Sequence, residues 1–236
     1  MAGRPDGLTP RRPDARTACV LVAVLFASTG RPAVLPSGRQ DPWPILDRAS
    51  AAYAELRDLS ATFVQIVDNP MLGDPDTTRG RLFIQKPSYF AMRFTEPRGD
   101  RIVADGRHLW LYTPSSTPGQ VIRSAIPGTG TTGPNLIAQF VEQPRERYHA
   151  KYLGAEPGAG ESDAILLSPR DSAGDLPYSA ATVWVDRNDG TIRRLEIIET
   201  SGQRRTVILN GVAVNRGVAR SEFRFSPPAG SRVVHQ

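Results

Sequence analysis

The sequence predicts an α+β protein built on a large antiparallel sheet or open barrel with few helices. Three observations carry that expectation. One amphipathic stripe is followed by many short β-type runs cut by turn residues, and the hairpin dipeptide Asp-Gly recurs between such runs at Asp105-Gly106 and Asp189-Gly190. No repeat of about 20 to 50 residues is present, which removes solenoids and propellers.

The elements follow in order. Arg4, Arg11, Arg12 and Arg16 precede the apolar run Ala18–Ala27 and the small residues Ser28–Gly30, the layout of an export signal. That run is shorter than the roughly twenty residues a membrane helix needs. Residues 1–33 are therefore expected to be a cleaved signal peptide, residues 34–42 a Pro/Gly-rich spacer, and residues 43–236 a single domain outside the cytoplasm. Arg11-Arg12 is followed by Pro13, which speaks against twin-arginine export. Asp41-Pro42 marks a helix start. Ile45, Leu46, Ala49, Tyr53, Leu56 and Leu59 then recur at threes and fours opposite Asp47, Arg48, Glu55, Arg57 and Asp58.

From Ser60 the runs Ala61–Val67, Arg79–Lys86, Tyr89–Thr95, Ile102–Asp105 and His108–Tyr112 read as neighbouring antiparallel strands. A loop at Gly128–Gly133 leads into short helices over residues 134–141 and 144–150, separated at Pro144. Thr182–Asp186, Thr191–Thr200 and further runs ending at Glu222–Phe225 complete about ten strands.

Composition narrows the function. The 236 residues carry a formal charge of +5, and the basic residues are 27 Arg and only 2 Lys. Five Arg and two Asp lie in residues 1–33, so the exported chain keeps +2 and shows no nucleic-acid footprint. The one cysteine, Cys19, falls at the start of the apolar run and not after it, so lipid attachment there is not expected. Its removal with the signal would exclude disulfides, thiolate metal sites and thiol nucleophiles together. His108, His149 and His235 have no metal-binding spacing, and no cofactor or metal is expected. Gly128–Gly133 lacks the lysine of a phosphate loop, and no nucleophile elbow or dinucleotide fingerprint occurs. Asp74 with Asp76 and Asp171 with Asp175 read as solvated loop carboxylates; the enzymatic alternative is a hydrolase using such a pair.

On Tyr89–Thr95, alternation puts Phe90, Met92 and Phe94 on one face and Tyr89, Ala91, Arg93 and Thr95 on the other. Phe63, Leu82, Ile84, Leu109 and Leu111 extend the same apolar inventory. These residues form either an ordinary core under the first helix or a cavity for an apolar ligand, covered by Leu136, Ile137 and Phe140.

Several runs in order carry a family resemblance: Ala61–Gln65, Gly80–Pro87, Tyr89-Phe90, Thr95–Pro97 and Ile102–Tyr112. Pro134–Phe140, Val183–Asp186 with Asp189–Ile192, and Phe223–Gly230 continue it, so that it spans about residues 45 to 233. The chain resembles the periplasmic outer-membrane lipoprotein carrier family, LolA. The resemblance implies an incomplete antiparallel β-barrel whose apolar cavity is covered by a helical lid. It also implies a periplasmic monomer that catalyses no reaction. Such a carrier takes lipoproteins from an inner-membrane ABC transporter complex, shields their acyl chains and passes them to an outer-membrane acceptor. Phe90, Met92 and Phe94 would contact the chains, with Leu136, Ile137 and Phe140 as the lid's inward face. A same-fold lipid-binding or lipoprotein-sensing protein is the alternative. Three departures stand out: Lys86 occupies the place of an Arg that latches lid carbonyls in many carriers, Met92 stands where Trp is frequent, and the loop Asp68–Thr78 is long.

Overall fold

In the computed structural model, which describes residues 40–71, 73–126, 135–156, 161–170 and 176–236, the first element is helix α1, Trp43–Ala54. Asp41 Oδ1 accepts the Trp43 N–H at 3.1 Å, and prolines occupy the N-cap and first turn, where no N–H is missed. Ile45, Leu46, Ala49 and Tyr53 form its buried side. The apolar stripe read from the sequence runs on to Leu59, but the helix stops at Ala54 with Glu55 as its C-cap. Leu56 and Leu59 are buried all the same. Asn215 Oδ1 accepts the N–H groups of Arg57 and Asp58 at 2.7 and 3.3 Å, and the Arg57 carbonyl accepts the Lys86 N–H at 3.0 Å. These bonds draw the chain into the sheet where the helix would otherwise continue.

Twelve strands follow. They are β1 (Asp58–Asp68), β2 (Asp76–Gln85), β3 (Tyr89–Glu96), β4 (Arg101–Asp105), β5 (His108–Tyr112), β6 (Gln120–Ala125), β7 (Tyr148–Glu156), β8 (Ser162–Pro169), β9 (Tyr178–Asp186), β10 (Ile192–Glu199), β11 (Arg204–Val214) and β12 (Arg232–His235). They make one sheet in the order β12-β6-β5-β4-β3-β2-β1-β11-β10-β9-β8-β7. Every pairing is antiparallel except β12 on β6. Pairing of β1 with both β2 and β11 joins the two meanders, and the edges β12 and β7 leave the barrel open. Residues 39–236 form one compact unit.

The middle of the chain differs from the sequence reading. The helices there are α2, Leu136–Val141, and α3, Pro144–Arg147. The second does not reach residue 150 because Tyr148 is already extended and paired opposite Pro169. Strands β6, β7, β8 and β12 are additions, and the run ending at Phe225 is a 3-10 turn, Arg220–Phe223, followed by extended chain. The export segment, residues 34–39 of the spacer, the loop Gly128–Gly133, and Asp171 with Asp175 lie outside the described residues.

The sheet buries both faces over β2–β4. Leu82, Ile84, Phe90 and Met92 join the main core, whereas Phe83, Ala91 and Val103 pack on the other side against Phe223. Arg93 fixes that covering turn, donating from Nη2 to the Ser221 and Glu222 carbonyls at 2.9 and 3.0 Å.

Helix α1 is fastened to the far half of the sheet by Asp163, 4% exposed. Arg187 Nε and Nη2 both donate to its Oδ1, at 3.0 and 2.7 Å, Tyr152 Oη donates to the same oxygen at 3.0 Å, and Arg48 of α1 lies 3.8 Å from Oδ2. Burial pushes this carboxyl up, but the hydrogen bonds from Arg187 and Tyr152 and the charges of Arg187 and Arg48 outweigh it and hold it below the usual range. The folded protein therefore binds this proton less readily than the unfolded chain. The stabilisation is complete above the ordinary Asp value of about 4 and is lost as pH falls through the lower folded value. Asp163→Asn is expected to cost about 1 to 2 kcal/mol at neutral pH, the scale of charged hydrogen bonds, because Arg187 and Arg48 are partly exposed and stay solvated without it. Melting temperatures measured from pH 7 down to pH 2 should fall less steeply in the variant than in the parent.

Candidate functional site: an apolar cavity under a short helix

Between the inner face of the sheet and α2 lies a cavity with only apolar lining residues. Phe63 of β1, Leu82 of β2, and Phe90 and Met92 of β3 form one wall. Ile192 and Leu195 of β10 with Val207 and Leu209 of β11 form the other, and Leu136 and Ile137 of α2 close it. The space is about 400 Å³ measured to the atom surfaces, its open side included. Most of that is crevice between atoms, and the room left is far too small for an acyl chain. An acyl chain enters only if the walls or the helix give way.

Of the residues singled out in the sequence, Phe63, Leu82, Phe90, Met92, Leu136 and Ile137 line this space. Ile84 is buried in the same cluster behind the lining. Phe94 is half-buried and stands edge-on to Phe63, ring centres 5.2 Å apart. Leu109 packs half-buried against the cluster, and Leu111 is half-buried opposite Ile102 and Ile122, away from the cavity lining. Phe140 is fully buried but faces the Tyr178 and Tyr148 rings, 5.6 and 6.0 Å away, and not the cavity. The β10 and β11 wall was missed; alternation at Val207 and Leu209 was the available signal, since successive inward residues on a strand are two apart.

Helix α2 has only six residues, too few to persist in water on its own propensity. Its order comes from its bonds. Asn135 Oδ1 caps it, accepting the N–H groups of Ile137 and Ala138 at 3.2 and 3.5 Å. Ser50 of α1 donates to the Val141 carbonyl at 2.7 Å, Asn135 Nδ2 donates to Tyr53 Oη at 2.9 Å, and the Gln139 carbonyl accepts from Arg147 at 2.6 Å and Tyr148 Oη at 3.0 Å.

Lys86 does not bond α2 directly among the described residues. Its ammonium donates to the Tyr53 and Ala54 carbonyls in the last turn of α1 and lies 4.1 Å from the Tyr53 ring centre. A cation there meets the negative end of the helix dipole. Burial lowers the Lys86 pKa, against the raising influence of Glu142 and Glu55. Where a latch on the lid is expected, Lys86 thus bonds the end of α1. Lys86→Met keeps the stem and removes the donor, and should cost about 1 to 2 kcal/mol, the scale of a charged hydrogen bond; denaturant unfolding measures it.

Other chemistry is sparse. His108 lies beside Arg123 on β5 and β6, His149 is exposed on β7, and Asp74 and Asp76 are exposed at the start of β2. Among the described residues no group of three or more His, Cys, Asp or Glu could hold a metal, and no helix is long and apolar enough to cross a membrane.

Comparison with known proteins places this cavity in context. Residues 54–226 match the family model for the outer membrane lipoprotein carrier protein LolA. The chain is 29% identical over 215 residues to an outer-membrane lipoprotein carrier protein of Serratia proteamaculans, covering 90% of this chain and 93% of that one. It is 30% identical over 195 residues to the carrier protein of Salmonella typhi, covering 80% and 89%. Among solved structures, an uncharacterized conserved protein of Thermus thermophilus aligns with a TM-score of 0.52 at 12% identity, over 84% of this chain and all of that one, a likeness of fold alone.

Proposed function

The chain belongs to the LolA family of outer membrane lipoprotein carriers, and on that footing we propose that it is a periplasmic chaperone for lipoproteins. It takes their acyl chains into the cavity between the sheet and α2. The observation that carries this reading is the wholly apolar lining under a helix held by a handful of hydrogen bonds. Each methylene shielded from water is worth about 0.8 kcal/mol, so a host must be apolar enough to accept the chain yet open enough to surrender it. Soft side chains such as Met92 and rings such as Phe63 and Phe90 suit a wall that must repack around different occupants.

Export through residues 1–33, loading by an inner-membrane ABC transporter complex and delivery to an outer-membrane acceptor complete the proposed cycle. The protein catalyses no step in it. The test is release of newly made lipoproteins from inner-membrane spheroplasts. Added protein lacking residues 1–33 should bring them into the soluble fraction as a complex, and lipoproteins that stay in the membrane at every concentration of added protein would exclude the carrier role.

A further inference from the structure

We propose that Tyr53 is a positioning residue that couples Lys86 to α2, so that the latch on α1 holds the lid shut through one phenol. The inference rests on the carrier reading and concerns how that cavity is gated. Tyr53 is 9% exposed and meets both partners at once. Its carbonyl accepts from the Lys86 ammonium, its ring lies under the same ammonium, and its hydroxyl accepts from Asn135 Nδ2 at 2.9 Å. Asn135 in turn spends its other amide atom, Oδ1, on the first N–H groups of α2. The path from the end of β2 to the lid thus runs through Lys86, Tyr53, Asn135 and Ile137, each link a contact of a polar atom.

The arrangement follows from the chemistry of the side chains. A lysine ammonium is a point charge whose three donors rotate, so it lacks the planar fork that lets an arginine bond several carbonyls in fixed directions. Here its hydrogen bonds go only to α1 among the described residues, with the charge of Glu142 at the end of α2 adding attraction but no directed bond. A tyrosine at position 53 supplies the missing reach, because it has a face for the cation and a hydroxyl some 6 Å beyond the backbone for the helix cap. Ser50 bonding the Val141 carbonyl ties the other end of α2 to α1. The two helices are therefore fastened at both ends of α2 when the lid is closed.

The sign of the functional effect follows from which state makes each contact. Because the cavity with α2 in place is too small for an acyl chain, a chain that enters by displacing the helix breaks the Tyr53–Asn135 bond, which then belongs to the closed state only. Weakening it shifts the population toward the open state and raises apparent affinity for cargo at the expense of release.

Hydrogen exchange on the α2 amides tests the coupling. Tyr53→Phe keeps the ring beneath Lys86 and removes the hydroxyl; it should raise exchange in α2 about fivefold, the weight of one hydrogen bond, with β9 and β10 unchanged. Asn135→Ser, which preserves an N-cap oxygen but lacks the amide donor, should do the same. Combined with Lys86→Met, the Tyr53→Phe effect should fall well short of the product of the two single effects, as for linked contacts. Unchanged α2 exchange in both single variants, acceleration spread evenly through the sheet, or a double variant showing the full product would each overturn the proposal. A parent protein that binds no lipoprotein would end the carrier reading but leave this exchange result standing.

Discussion

One methyl group at Gly80 is expected to cost about 3 kcal/mol or more, at the upper end of what overpacking a well-filled core produces. A Cβ at this position would lie 2.2 Å from the Arg93 carbonyl oxygen and 2.8 Å from Phe63 Cε1. The first neighbour is backbone of the adjacent strand, which cannot swing aside. The second is the cavity wall. Gly80 stands opposite Phe63 on β1 and Phe94 on β3, beside a register shift in the β2–β3 ladder. The missing side chain is what lets the Phe63 ring lie across β2 and meet Phe94 edge-on. Gly80→Ala should therefore lower the urea midpoint sharply and alter the cavity even where the protein still folds. A variant with the parent midpoint would mean that the strands separate more easily than the register implies.

Ile137→Asp should abolish lid closure. Ile137 is 9% exposed and lines the cavity from the first turn of α2, so closing the variant would bury a carboxylate among apolar side chains at a cost of several kcal/mol. That exceeds about 2.7 kcal/mol, a hundredfold shift between the two positions of α2. The sheet makes its own ladder and should survive, so the loss is local unfolding. Protection of the α2 amides should disappear while the sheet amides keep theirs. Lipoprotein retention should fall as well, because Ile137 offers apolar cover to a bound chain in addition to closing the site. That outcome is opposite in sign to the one expected for Tyr53→Phe, whose lost bond exists only in the closed state. Retention assays on the two variants separate a residue that covers cargo from one that competes with it.

Much of this was legible in the residues. The limits of β5, those of β3 to within one residue, the two Asp-Gly hairpins and the opposite faces of Phe90 and Ala91 follow from period-two alternation and turn chemistry. The open antiparallel architecture followed from the strand count and the resemblance together. What escaped depends on partners distant in sequence. Leu56 and Leu59 continue the helical period but belong to a turn and a strand, because Asn215, about 160 residues later, captures the intervening N–H groups. Tyr148 looks like the continuation of a helix until its hydroxyl is placed 2.6 Å from that of Tyr178. Half of the cavity wall lies on β10 and β11, brought beside Phe63 by the pairing of β1 with β11, and no local pattern announces that pairing. Lys86 drew notice as a departure, yet its target on α1 depends on where β2 ends in space.

Native mass spectrometry of the protein purified from the periplasm of its own cells tests the central claim most directly, read alongside the Ile137→Asp variant prepared the same way. The account predicts lipoprotein adducts of defined stoichiometry on the parent protein and their loss from the variant. A parent protein that carries no lipoprotein, or a variant that keeps its adducts undiminished, would contradict it and return Phe63, Phe90 and Met92 to the role of ordinary core.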